Sequence, residues 1–78
     1  MSEWITFEER GWSKSGKTKI WYVRANDGGA ILGGVSWFSQ WRKYAFGPSI
    51  GTVFEPTCLR DIADFCETAT KAHKETQK

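Results

Sequence analysis

Apolar and polar residues alternate weakly over Trp4–Glu9, and Lys19–Ala25 carries apolar side chains on both of its sides, patterns that predict β-strands. The predicted strands are Trp4–Glu9, Lys19–Ala25, Ala30–Trp37 and Arg42–Phe46, with Gly51–Phe54 as a short additional edge strand. Asn26-Asp27-Gly28-Gly29 marks a tight turn, because Asn, Asp and Gly tolerate the positive φ that such turns require. Ile5 and Phe7 are expected to point inward from the first strand.

The third and fourth strands are predicted to form a β-hairpin. With Phe38–Trp41 as a four-residue loop, Trp37 lies opposite Arg42 and Val35 lies opposite Tyr44. One face then carries Val35, Trp37, Tyr44 and Phe46, and the other carries Gly34, Ser36, Lys43 and Ala45. A hairpin cannot bury such an apolar face alone, so another element must cover it.

A C-terminal helix is the predicted cover. Pro56 suits the first turn of this helix, because the N–H that proline lacks would have no hydrogen-bond partner within the helix at that position. On a helical wheel one face carries Cys58, Leu59, Ile62, Ala63, Phe65, Cys66 and Ala69. The predicted fold is therefore α+β: one domain over residues 1–78, with an antiparallel sheet of three to five strands packed against one amphipathic helix of about four turns.

Charge is distributed unevenly, although 11 basic and 9 acidic residues give a formal charge of only +2. Between residues 10 and 43 there are seven basic residues, and Asp27 is the only acidic one. The β-rich part is therefore expected to present a positive surface. The sequence has no apolar run of about 18 residues and no basic and apolar leader at Ser2-Glu3-Trp4. Both observations favour a cytoplasmic protein that does not enter a membrane.

Cys58 and Cys66 are eight residues apart on the predicted helix, or about 12 Å along its axis. A disulfide needs Cα atoms within about 7 Å, so these thiols are expected to stay reduced. Together with His73 they match no zinc signature. The sequence predicts neither a metal site nor a cofactor.

Gly11–Thr18 matches the phosphate-binding pattern G-x-x-x-x-G-K-[ST] letter for letter. That chemistry requires a helix immediately after the loop, whereas Lys19–Ala25 is β-patterned. The match is therefore interpreted as accidental. His73 lies near the end of the helix, Asp61 and Asp64 lie on its solvent face, and no nucleophile is spaced with a base. We expect no catalytic residues and no enzymatic activity.

Aromatic and basic residues alternate closely at the hairpin tip. Bases of single-stranded nucleic acid stack on exposed rings while cations hold the phosphates. The predicted binding residues are Phe38, Trp41, Arg42 and Lys43 at the tip, together with Lys14, Lys17 and Lys19, which are expected to come from the polar, mobile loop around Gly11–Thr18. The alternative for Trp41 is that it folds back and caps the core.

Trp41-Arg42-Lys43-Tyr44 spells the tetrapeptide of the WRKY transcription factors, in which the strand that carries it enters the DNA major groove. The chain continues Ala45-Phe46-Gly47 instead of that family's Gly-Gln-Lys, and it lacks the family's zinc ligands. A packed Trp and Tyr flanking two solvated bases is therefore favoured over homology.

A broader resemblance covers residues 33–65. The residues that carry it are Trp37, Phe38, Trp41, Arg42, Tyr44 and Phe46, then Thr52, Val53, Phe54 and Pro56, then Cys58, Leu59, Ile62 and Phe65. In this order they resemble a group of small phage and prophage proteins. The resemblance implies an accessory protein of phage type and assigns no activity to it. In architecture alone, strands followed by a helix are similar to the DNA-binding domain of ethylene-response factors.

Nucleic-acid binding is thus the preferred prediction. The phage resemblance also allows a protein-binding inhibitor of a host defence or regulatory complex, comparable to an anti-CRISPR protein, since exposed Trp, Tyr and Arg form most hot spots. A sponge for small nucleotide signals is a third reading of the same residues. Pairing of two copies at an exposed strand edge is a further prediction.

Overall fold

A computed structural model describes residues 4–76, which form a four-stranded antiparallel sheet packed against one helix. The elements are β1 (Ile5–Trp12), β2 (Lys19–Ala25), β3 (Ile31–Phe38), β4 (Lys43–Pro48) and α1 (Pro56–Thr76). The strands lie in the order β1-β2-β3-β4. This arrangement confirms the predicted α+β class.

Each strand pairs with the next one along the chain, so the sheet is a meander whose connections alternate between its two ends. Residues 13–18 join β1 to β2 and residues 39–42 join β3 to β4, and both connections therefore lie at one end, here called the loop end. The turn at residues 26–30 and the segment 49–55 lie at the opposite end, here called the turn end.

The core lies between α1 and one face of the sheet. Its buried members are Ile5, Val23, Val35, Tyr44, Cys58 and Ile62. Phe7 of β1 stacks on Phe65 of α1 with ring centroids 4.0 Å apart, and Trp21 of β2 meets the same ring edge-on. The inward orientation predicted for Ile5 and Phe7 is confirmed.

Helix α1 begins at a capped N-terminus. The Glu55 carboxylate accepts the backbone N–H of Cys58 at 2.6 Å, which satisfies one of the donors that a helix start leaves unpaired. The helix then runs for 21 residues and is longer than the predicted four turns. The additional length packs on the sheet, because the rings of His73 and Trp37 lie 4.5 Å apart.

Helix α1 departs from the predicted apolar stripe at Leu59. Cys58 is buried and Cys66 is partly buried, as expected for members of that stripe. Leu59 was assigned to the apolar face but is half exposed. The contact face of α1 is therefore narrower than the wheel suggests and is centred on Ile62, Phe65 and Ala69.

The predicted hairpin register is wrong by two residues. Trp37 pairs with Tyr44 and Phe38 pairs with Lys43, so the loop comprises residues 39–42 and Phe38 belongs to β3. A shift of two residues preserves the alternation of side chains. For that reason Val35, Trp37, Tyr44 and Phe46 still share the helix-facing side, as predicted.

Other element boundaries also differ from the prediction. Gly51–Phe54 forms no strand; Thr52 instead donates its backbone N–H to the Ser49 carbonyl at 3.3 Å, within a turn. Gly11 and Trp12, expected in a loop, complete β1. The second of these differences changes which side chains lie at the loop end.

Candidate nucleic-acid interface

All seven predicted binding residues lie at the loop end, in two groups. Phe38, Trp41, Arg42 and Lys43 surround the loop of residues 39–42, and Lys14, Lys17 and Lys19 belong to or adjoin the loop of residues 13–18. Strands β2 and β3 separate the two loops, and the spacing of neighbouring strands puts the loop centres about 10 Å apart.

The rings at the hairpin tip face solvent. Trp41 is 63% exposed and Phe38 is 39% exposed, and their ring centroids lie 4.5 Å apart. The alternative in which Trp41 caps the core is therefore wrong. The backbone N–H groups of Trp41 and Arg42 both donate to the Phe38 carbonyl, at 3.1 and 2.9 Å, and so fix the tip.

Arg42 occupies the last position of this loop with φ of +55°, in the left-handed region. A left-handed conformation costs a residue with a side chain about 1–2 kcal/mol, and glycine avoids that cost. Strained residues of this kind concentrate at functional sites. The position thus carries a cation where glycine would be more favourable for the fold.

The loop of residues 13–18 is closed by its own hydrogen bonds. Ser13 donates its backbone N–H to the Thr18 carbonyl at 2.7 Å, and the Thr18 hydroxyl, which is buried, donates to the Ser13 hydroxyl at 2.8 Å. Lys14 and Lys17 extend from this loop into solvent. The loop joins two antiparallel strands and no helix follows it, so the phosphate-loop pattern is accidental, as predicted.

Lys19 starts β2 and is not part of the loop. Its ammonium lies 3.4 Å from the Glu9 carboxylate and 5.2 Å from the centroid of the Trp12 ring. Its backbone N–H donates to the Tyr44 hydroxyl at 3.1 Å. Lys19 therefore connects the loop end to the core.

Trp12 is a site residue that sequence reasoning missed. The register of β1 against β2 shifts by one between Glu9 and Gly11, where Arg10 is bulged and Gly11 has φ of +112°. A one-residue bulge reverses the alternation of side chains. Trp12 therefore lies opposite Lys19 on the helix side, yet it is 60% exposed.

A groove of about 680 Å³ lies between the loop end and the C-terminal half of α1. Trp12, Lys17 and Lys19 form one wall, and the helix contributes Thr68, Ala69, Ala72 and His73 as the other. Trp21, Tyr44 and Phe65 also line it. The signal that could have pointed to this groove is the position of Trp12 and Trp21 on either side of the lysine-rich loop in the sequence.

The electrostatics of this end are one-sided. Neither loop contains a carboxylate, and Asp27 lies at the turn end. Within residues 4–76, Glu9 is the acidic residue that forms an ion pair with one of these cations, Lys19. A second groove, on the other side of α1, is mixed in charge: Lys43, Lys71 and Lys74 line it together with Glu67 and Glu75. The first groove is the better match for an anion.

Within residues 4–76, no three His, Cys, Asp or Glu side chains are grouped so as to hold a metal ion. Cys58 and Cys66 are both free thiols. Helix α1 is too polar to span a membrane, and the described part of the chain contains no other helix.

The chain matches no protein-family model, no curated protein and no solved structure. Its function must therefore be inferred from the geometry of the loop end.

Proposed function

We propose that this protein binds single-stranded nucleic acid across its loop end and catalyses no reaction. The observation that carries the proposal is the convergence of two carboxylate-free loops, bearing Lys14, Lys17 and Arg42, at the end where Trp12 and Trp41 are exposed. Exposed rings for bases beside cations for phosphates are what sequence-tolerant strand binding uses.

The roles follow from position. Trp41 offers a stacking surface at the hairpin tip, and the adjacent Phe38 ring holds it in place at 4.5 Å. Trp12 offers a second surface beside the other loop. Lys14, Lys17, Arg42 and Lys43 are exposed and contact the backbone of the strand between these surfaces. The loop separation of about 10 Å corresponds to a few nucleotides of strand.

Fluorescence titration with an oligo(dT) of about 15 nucleotides tests the proposal, because stacking quenches tryptophan emission. Binding should weaken with salt, and Lys17→Ala should reduce the slope of log K against log salt by about 0.7. Trp41→Ala should cost about 1–3 kcal/mol of binding free energy.

Two matched controls lie away from the loop end. Trp4 is 57% exposed at the turn end, and Arg60 is exposed on the first turns of α1. Trp4→Ala and Arg60→Ala should leave oligo(dT) affinity within about twofold of the parent protein. Equal losses in the control and loop-end variants, or no binding at low salt, would refute strand binding.

Binding to a protein, such as the host complex suggested by the phage resemblance, is a second candidate. It is favoured by a separate observation: Ile50 is fully exposed, Val53 almost so and Leu59 half, all near the turn end. Exposed apolar side chains grouped at one end are typical of protein-contact surfaces. This candidate would be supported by a captured partner protein that stays bound after nuclease treatment. The double variant Ile50→Ser with Val53→Ser should then lose this partner and keep its oligo(dT) binding.

A further inference from the structure

We propose that the groove between Trp12 and α1 is a site for a single nucleobase with its phosphate. The inference rests on the proposed function, because it specifies where one nucleotide of the bound strand is held. The same chemistry would admit a free nucleotide, and the experiment below separates the two sources.

The bulge at Arg10 creates the site. Without it Trp12 would lie on the sheet face that carries Glu8, Arg10 and Tyr22, where the Arg10 guanidinium lies 5.1 Å from the Tyr22 ring. With it, the Trp12 ring stands on the helix side, facing a helix wall built from the small side chains Ala69 and Ala72. A planar ring can enter between these walls with one face against an indole, the geometry that base stacking requires.

Charge identifies the ligand as an anion. Lys17 and Lys19 line the groove, and none of its described lining residues is acidic. The Lys19 ammonium lies over one face of the Trp12 ring, 5.2 Å from its centroid, so a base stacked on the opposite face would bring its own phosphate close to this cation. The Glu9 carboxylate lies 3.4 Å from the Lys19 ammonium and is itself half exposed. This ion pair positions the ammonium without covering it.

Tyr44 supplies a polar group inside the groove. Its hydroxyl accepts the backbone N–H of Lys19 at 3.1 Å, and no hydrogen bond within residues 4–76 uses the hydroxyl proton. A phenolic O–H is both donor and acceptor, so this proton is available to a carbonyl or ring nitrogen of a base. The Trp12 ring, the Lys19 ammonium and the Tyr44 hydroxyl together match the parts of a nucleotide, and they distinguish the groove from a purely apolar cleft.

The experiment follows the indole N–H signals of the tryptophans by NMR while thymidine monophosphate or oligo(dT) is added. Thymidine monophosphate should shift the signals of Trp12 and Trp21 and leave those of Trp4 and Trp41 unchanged. Ala72→Phe fills the groove from an exposed helix position, and it should weaken mononucleotide binding by about tenfold or more.

Ala63→Phe is the control, because Ala63 is also exposed on α1 but lines the mixed-charge groove. It should change mononucleotide affinity by less than about twofold. If oligo(dT) binds while thymidine monophosphate leaves Trp12 and Trp21 unshifted, the groove site is refuted and strand binding stands. The same conclusion follows if oligo(dT) binds and Ala63→Phe weakens mononucleotide binding as much as Ala72→Phe does. If the mononucleotide binds and oligo(dT) binds no more tightly, the groove site holds and its ligand is a free nucleotide. If neither probe binds, both proposals are refuted.

Discussion

The backbone N–H of Tyr44 in β4 donates to the hydroxyl of Thr70 in α1 at 2.9 Å, and that hydroxyl donates in turn to the Cys66 carbonyl at 2.7 Å. Strand β4 is at the edge of the sheet, where unpaired N–H groups would otherwise be free to pair with another chain. One helix side chain therefore caps part of this edge and fixes α1 against the loop end. The predicted pairing of two copies at a strand edge stays a prediction, with β1 as the edge not covered in this way.

Replacing Thr70 with Val tests that contact. The change keeps the shape of the side chain but leaves the N–H of the buried Tyr44 without its acceptor, so we expect a loss of about 1–3 kcal/mol in unfolding free energy. Urea denaturation measures it. Thr68→Val, at an exposed position of the same helix, should change stability by less than about 0.5 kcal/mol. Equal stabilities of the two variants would show that the Tyr44–Thr70 bond contributes nothing.

Gly33 is expected to be intolerant of any side chain. A Cβ at this position would lie 2.7 Å from the ring of Phe46 and would also clash with the Gly47 carbonyl oxygen. The ring of Phe46 in turn packs edge-on against Phe54. Gly33→Ala should therefore cost about 1–3 kcal/mol, measured by thermal unfolding. At Gly47 a Cβ would meet nothing within 4 Å, so Gly47→Ala is the control and should unfold close to the parent protein.

Arg42→Gly separates stability from binding. Glycine relieves the left-handed strain at φ of +55°, worth about 1–2 kcal/mol, and loses about 0.5–1 kcal/mol through its greater freedom in the unfolded chain. The variant should therefore melt at the same temperature as the parent protein or higher, while its affinity for oligo(dT) falls. A variant that melts lower and binds normally would assign Arg42 to the fold and remove it from the interface.

Stability should fall in acid because two carboxylates are ionised more readily in the folded chain. The Cys58 backbone N–H lowers the pKa of Glu55 below its ordinary 4.5, and the hydrogen bond from Arg24 lowers the pKa of Glu8. Above pH 4.5 both groups are charged in both states, and their contribution is complete. As the pH falls below 4.5, the unfolded chain takes up protons before the folded chain does. The contribution of these carboxylates to stability is lost once the pH has fallen through their lowered folded pKa values.

Thermal unfolding between pH 7 and pH 3 measures this effect. Glu55→Gln and Glu8→Gln should each give a flatter acid limb than the parent protein. Asp64 forms no ion pair among the described residues, and Asp64→Asn should leave the limb unchanged. Parallel curves for all four proteins would show that neither the helix cap nor the Glu8–Arg24 pair, at 2.6 Å, responds to pH.

Local physics was sufficient for much of the fold. Strand Lys19–Ala25 was predicted with its observed bounds, because it is a short run rich in β-branched and aromatic residues and turn residues follow it. The helix start at Pro56 follows from the backbone chemistry of Pro. The faces of the hairpin were predicted even though its register was not, since a shift of two residues leaves every side chain on its own side.

The candidate site was likewise predicted only in part from the sequence. Sequence alone placed rings beside cations at Phe38, Trp41, Arg42 and Lys43, because those residues are neighbours in the chain. Only tertiary structure placed the lysines of residues 13–18 at the same end, because that depends on the strand order of the meander. Trp12 reached the helix side through a one-residue bulge, and Tyr44 met Thr70 across 26 residues. Periodicity describes one strand at a time, whereas bulges and long-range contacts are set by the packing of several elements together.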